Sequence, residues 1–135
     1  MHFSFPQKLL FKHCDPAGIV FYPRFFEMIN DAVEAMFSEI LDWSFETIHP
    51  EQGVPTAEFK VRFKASCLHG DQLVLDVEMK RLGRSSLSLA TTARRDEQIC
   101  FEADQILVCV DSNGRPVSWP DDVRAKINSL METAT

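Results

Sequence analysis

A helical rhythm of apolar and polar positions occupies residues 24 to 42. Phe25, Ile29, Ala32, Val33, Met36 and Ile40 recur at three- and four-residue spacing, which puts them on one buried stripe of an amphipathic helix. Pro23 suits the entry, because its fixed φ favours the first turn and the N–H it lacks would have had no partner there. The other stripe, Glu27, Asp31, Glu34 and Ser38, is polar and is expected to face solvent or a partner subunit.

From Thr56 the period changes to two. Phe59, Val61, Phe63 and Ala65 alternate with Glu58, Lys60, Arg62 and Lys64, as in a strand with one covered face. Four strands are predicted, near 56–67, 72–81, 85–95 and 98–110. Their joints are His69-Gly70-Asp71, Leu82-Gly83-Arg84 and Asp96-Glu97-Gln98, all rich in turn formers. Short joints imply an antiparallel meander. The run ILVCV at 106–110 is apolar throughout, as in a central strand covered on both sides. Residues 3 to 12 hold Phe, Leu and one Pro, which suits a first strand at a sheet edge. A closing helix is expected after Trp119-Pro120, with Asp121 and Asp122 in its first turn. The order gives an α+β domain spanning 1–135, with one long helix on an antiparallel sheet of about five strands and a short C-terminal helix.

Composition narrows the function classes. The net charge of −6 argues against nucleic-acid or anionic-membrane partners, which need a cationic surface. No apolar run approaches the roughly 18 residues of a membrane span, and the opening stretch lacks a signal-peptide pattern. A soluble cytoplasmic protein is expected. Cys14, Cys67, Cys100 and Cys109 show no CxxC pair, so neither a metal site nor a disulfide framework is indicated, and no cofactor is expected. Charge is unevenly spread. Residues 27 to 51 contain seven acids and no Lys or Arg, whereas residues 57 to 95 contain eight Lys or Arg against four acids. An anionic ligand is expected at the second region.

The candidate chemistry lies in His13-Cys14-Asp15-Pro16-Ala17-Gly18-Ile19-Val20-Phe21-Tyr22-Pro23. A Pro-Ala-Gly turn can fold Asp15 back toward the start of the long helix. Acyl transfer needs a group that attacks a carbonyl or activates water, and donors for the oxyanion. Asp15 can supply the first. Unpaired N–H groups at the helix start can supply the second; Pro23 has none, which leaves Tyr22 and the residues from Arg24 onward. An Asp before Pro is also a common turn former.

The string HCDPAGIVFYPRFFEM resembles the active-site signature of 4-hydroxybenzoyl-CoA thioesterases, nearly continuously from Asp15 to Pro23. Fainter likeness covers Gly70-Asp71, Arg81 to Ser86 and Val110 to Arg115. The resemblance implies a hotdog fold, acyl-CoA as substrate, Asp15 as catalytic carboxylate, the Tyr22 backbone N–H as oxyanion donor, and sites at the interface of a homodimer or homotetramer. Many relatives carry His after this Tyr, where Pro23 stands here, so the likeness favours the aryl-CoA-like branch. His13 is a candidate to orient Asp15 or a water. Asp31 and Glu34 are alternative carboxylates, since other hotdog branches mount theirs on the helix. The turn Arg81, Arg84, Ser85, Ser86 is a candidate contact for the CoA phosphates, which Arg binds well. Phe21, Phe25, Phe59 and Phe63 are candidates for an aromatic acyl pocket or for the core. A hotdog module that binds acyl-CoA or acyl carrier protein without cleaving it is the competing function.

Overall fold

A computed structural model describes residues 2–132. Strand β1 (His2–Lys8) leads through a short 3₁₀ turn to helix α1 (Arg24–Glu39), a short helix α2 (Phe45–Ile48) and strand β2 (Gln52–Gly53). Strands β3 (Thr56–Phe63), β4 (Gln72–Leu82), β5 (Ser86–Arg95), β6 (Gln98–Val108) and β7 (Val110–Asp111) follow, and helix α3 (Asp121–Glu132) closes the order. The main sheet has five antiparallel strands in the order β1-β4-β5-β6-β3, and β2 pairs with β7 in a separate two-stranded ribbon.

Helix α1 lies across one sheet face, as its periodicity predicts. Its buried side chains, among them Phe25, Met28, Ile29, Val33 and Phe37, meet the inward residues Leu75 and Val77 of β4, Leu87 and Leu89 of β5 and Phe101 of β6. Burying each large apolar side chain is worth about 1.5–3 kcal/mol. The polar stripe Glu27, Asp31, Glu34 and Ser38 is exposed. The helix stops at Glu39 rather than Asp42 because Asp42 takes a left-handed φ of 52° and Trp43 N–H closes onto Phe37 O at 2.9 Å.

The meander reading is overturned. Strands β4, β5 and β6 do form hairpins, but β3 pairs with β6 at the far edge, and β1 takes the place beside β4. The reason lies in the segment between β3 and β4, which does not turn tightly. Instead it crosses the end of the sheet and spends its backbone groups on the N-terminal loop. Gly70 N–H donates to Leu9 O at 2.8 Å and Leu9 N–H to Asp71 O at 2.9 Å. Strand β3 accordingly ends at Phe63 rather than residue 67.

The run 106–110 also differs from expectation. Leu107 and Cys109 are buried, but Ile106, Val108 and Val110 are only half-buried, and Val110 belongs to the β2–β7 ribbon rather than to a central strand. Pro6 sits in edge strand β1, where a missing N–H is harmless. Among the described residues no helix is long and apolar enough to cross a membrane, and the four cysteines are free.

Candidate active site

Residues 13 to 21 fold into a tight hairpin. Asp15 N–H donates to Ile19 O at 2.9 Å, Gly18 N–H to Asp15 O at 3.0 Å and Phe21 N–H to His13 O at 2.9 Å, with Cys14 and Val20 bridged across it. Gly18 closes the bend at φ 84°, a left-handed conformation that side chains strain to adopt. One carboxylate oxygen of Asp15, Oδ1, accepts Ala17 N–H at 2.9 Å, the turn-forming bond that an Asp-Pro pair favours. That bond fixes the side chain and leaves Oδ2 for other partners.

The hairpin is held against the segment after β3. Val20 N–H donates to Cys67 O at 2.9 Å and His69 N–H to Gly18 O at 3.2 Å, while Ile19 bridges Leu68. This segment is itself anchored by Asp71, whose Oδ2 accepts Leu68 N–H at 2.9 Å and Arg95 Nη1 at 2.8 Å. The backbone bond from Leu68, followed by the Arg95 guanidinium, holds the Asp71 carboxyl below its ordinary range.

Asp15 and Tyr22 line one cavity of about 430 Å³, together with Phe25, Phe63, Lys64 and Cys67. Tyr22 stands edge-on to Phe63 with ring centres 6.0 Å apart. At the helix start, Arg24, Phe25 and Phe26 spend their N–H groups on the carbonyls of Phe21, Tyr22 and Pro23, at 2.9, 3.1 and 3.2 Å. Pro23 has no N–H, and among the described residues Tyr22 N–H donates to no protein acceptor. Of the donor candidates offered by the sequence, Tyr22 is therefore the unspent one.

The other candidates lie apart. His13 is buried, and its Nδ1 accepts Leu10 N–H at 2.9 Å. It faces a separate hollow with Lys12, Arg24 and Glu27; burial, then the charge of Lys12, lowers its pKa below the usual 6.5. Asp31 and Glu34 point outward from α1. Arg81, Arg84, Ser85 and Ser86 occupy the opposite end of the sheet. Phe63 pairs with Phe101 on β6, whereas Ser86 pairs with Val108, which separates the two ends by roughly 24 Å at about 3.4 Å per residue. Their turn is clamped by the C-terminal segment: Arg124 Nη2 donates to Arg84 O at 2.7 Å and Trp119 Nε1 to Ser86 O at 3.1 Å. A Cβ at Gly83 would meet Ser86 Oγ, so a side chain there requires the Ser86 hydroxyl to rotate away.

Lys64 and Cys67 belong to the cavity without having been singled out as site residues from the sequence. Their signal was general: both fall in the predicted strand 56–67, and Lys64 in the cationic stretch expected to meet an anionic ligand. Burial, then a hydrogen bond with Cys100, pushes the Cys67 thiol up to about 12, which disfavours the thiolate that nucleophilic attack needs. A second hollow, of about 410 Å³, also has Asp15 on its wall, with Phe11, Cys14, Pro16, Gly18 and His69. Among the described residues no cluster of His, Cys, Asp or Glu is arranged to hold a metal.

A family model described as the thioesterase-like superfamily matches residues 9–127. The chain belongs to that superfamily. Its fold is the hotdog. An acyl-CoA thioesterase, YbgC of Haemophilus influenzae, is 21% identical over 131 residues, covering 95% of this chain and 96% of the relative. The crystal structure of a 1,4-dihydroxy-2-naphthoyl-CoA thioesterase from Synechocystis superposes with a TM-score of 0.87 at 19% identity, covering 96% of this chain and 98% of that one. A Staphylococcus aureus protein solved in complex with CoA superposes with a TM-score of 0.89 at 12% identity, covering 98% of this chain and 85% of that one.

Proposed function

We propose that this thioesterase-like chain hydrolyses acyl-CoA, with an aryl-CoA among its substrates, through the Asp15 carboxylate and the Tyr22 N–H. The observation that carries the reading is that both residues line one cavity while Tyr22 N–H is the donor left unspent at the helix start. Asp15 attacks the thioester carbonyl or takes a proton from the attacking water; on either route the carbonyl oxygen becomes an oxyanion that a fixed N–H stabilises. The C–S bond breaks, CoA leaves as the thiol after taking up a proton, and water supplies the hydroxyl of the free acid.

The site is shared between copies in this reading. Strand β3 is an edge strand with both faces largely exposed, and such an edge pairs readily with another strand. Antiparallel pairing of β3 with itself, about a two-fold axis through its middle, sets the Thr56 end of one copy beside the Phe63 end of the other. The Arg81 to Ser86 turn of a second copy then lies at the same end as Asp15, where it can meet the CoA phosphates. A homodimer is the minimum assembly, and a homotetramer is two of these. The four free cysteines suit a reducing cytoplasm.

Turnover of a panel of acyl-CoA esters with thiol detection tests the reading. Thiol release by the native chain, abolished in Asp15→Asn, supports it; acyl-CoA binding without thiol release would leave a non-catalytic binding module.

A further inference from the structure

We infer that the hollow between Lys12 and Arg24, at the base of the hairpin that carries Asp15, is a binding site for a small tetrahedral oxyanion of the phosphate class. It measures about 200 Å³ and is lined by Lys12, His13, Arg24 and Glu27. None of these lines the cavity of Asp15 and Tyr22, so the site stands apart from the activity proposed above. The histidine carries the argument. His13 is only 7% exposed. Its Nδ1 accepts Leu10 N–H at 2.9 Å, and a backbone N–H can only donate, so the neutral ring holds its proton on Nε2. Burial and the charge of Lys12 favour that neutral ring. Among the described residues Nε2–H meets no protein acceptor. Nor is it sealed in. The buried side-chain polar atoms without a partner, among the described residues, are Thr91 Oγ1 and Gln105 Oε1, so Nε2 keeps an opening, and the opening beside His13 is this hollow. A donor so placed calls for an acceptor. A metal ion does not fit, because a protonated nitrogen cannot ligate one.

Charge names the acceptor. Lys12 is exposed and has no acidic partner among the described residues. Arg24 Nη1 donates to Glu27 Oε1 at 2.6 Å, which neutralises the one acid of the hollow and leaves other guanidinium N–H groups for a ligand. Two cations against one acid make the hollow positive on a chain of net charge −6. The charge of Asp31, one turn beyond Glu27 on α1, also reaches His13, but Asp31 is exposed and outside the lining. An ammonium, an imidazole N–H and a guanidinium come from three residues. A tetrahedral oxyanion offers each a separate oxygen, whereas a carboxylate has two. The volume lies below the roughly 300 Å³ at which drug-sized pockets begin, which suits a free anion and not a CoA nucleotide. The helix start adds no donor, since Arg24, Phe25 and Phe26 have spent their N–H groups. His13 O accepts Phe21 N–H at 2.9 Å, and Phe21 O accepts Arg24 N–H at 2.9 Å. An anion joining Lys12 and His13 to Arg24 therefore clamps the two ends of the hairpin that contains Asp15.

Inorganic phosphate is the probe, titrated into the native chain at neutral pH and constant ionic strength. It should shift the His13 ring signals in NMR saturably in the millimolar range, while the rings of His49 and His69 stay still. Chloride should not. Lys12→Ala should weaken binding about fivefold, and Lys12→Glu should abolish it; both changes fall on an exposed side chain and leave the fold intact. Lys8→Ala, outside the hollow, should bind phosphate as the native chain does. Acetate should bind about fivefold more weakly than phosphate. Amide exchange at Phe21 should slow about threefold or more at saturation, because opening the hairpin base releases the anion. These readouts need no thiol release, so they stand whether or not the chain cleaves acyl-CoA. Equal shifts from chloride, or a response that survives Lys12→Glu, would reduce the effect to salt on an exposed surface and overturn the site. An acetate affinity equal to that for phosphate would overturn the tetrahedral class, and binding without protection at Phe21 would overturn the clamp.

Discussion

Val20 donates its N–H to the carbonyl of Cys67 at 2.9 Å, and through this bond the loop carrying Asp15 hangs on the segment that leaves β3. Two stretches far apart in sequence thus make one cavity wall. The same segment reaches Asp71, whose side chain ties Leu68 to Arg95. Support for the site therefore runs from the half-exposed end of β5 at Arg95 to the hairpin that carries Asp15.

Asp15→Asn keeps the shape and an oxygen to accept Ala17 N–H, but it can neither attack nor take a proton. Its kcat should fall by at least about 10²-fold with acyl-CoA binding and melting temperature nearly unchanged. Stopped assays with thiol detection measure the first, and thermal unfolding the second. Near-normal turnover would move the chemistry to Asp31 or Glu34.

Acid should destabilise the chain in two stages. His13 has a lowered pKa because burial disfavours its charged form, so its contribution is complete above the ordinary value of about 6.5 and is lost as pH falls through the lower folded value. Asp71 is likewise lowered, so its contribution is complete above about 3.9 and is lost on further acidification. Urea midpoints taken from pH 8 to 3 should decline first below the histidine range and again below the carboxylate range. Asp71→Asn should remove the second decline and cost about 1 kcal/mol at neutral pH; a profile identical to the native one would show that the anchor adds nothing.

Replacing Arg81 and Arg84 together by Ala should raise KM for CoA esters by no more than about tenfold, less at high salt, because both side chains are exposed and screened. The kcat should change little, since nucleotide contacts are similar in the ground and transition states. Thioesters lacking the nucleotide should be cleaved equally by both proteins. Parallel losses on both substrate types would mark the turn as purely structural, held as it is by Arg124 and Trp119.

A site shared between copies, as proposed, requires at least a dimer. Light scattering at micromolar concentration should give a mass of twice the 15.4 kDa chain or more. A species of chain mass that still turns over substrate would dismiss the β3 pairing, and with it the reach of Arg84 to a neighbouring Asp15.

Periodicity, turn chemistry and one string of residues determined much of this protein. The spacing of Phe25, Ile29, Ala32, Val33 and Met36 specified helix α1 and its buried face, because a period of 3.6 leaves one stripe to cover. Pro6 marked an edge strand, and Asp15 to Pro23 carried the resemblance to thioesterases. Those signals are local, and local steric and hydrogen-bonding rules suffice to read them. The placement of β3 was not legible, since alternation in residues 56–63 gives a strand without naming its neighbour. Only long-range backbone bonds from Gly70 and Asp71 to Leu9 decided that the chain crosses to β4 instead of folding into a hairpin. The same holds for the site. Which helix-start N–H stays free depends on the bonds of Arg24, Phe25 and Phe26; His13 was drawn into a bond with Leu10; and Phe11 meets His69 across a separation no sequence window spans. Pairwise contacts between distant segments are set by how whole surfaces pack, and that information is absent from any single segment.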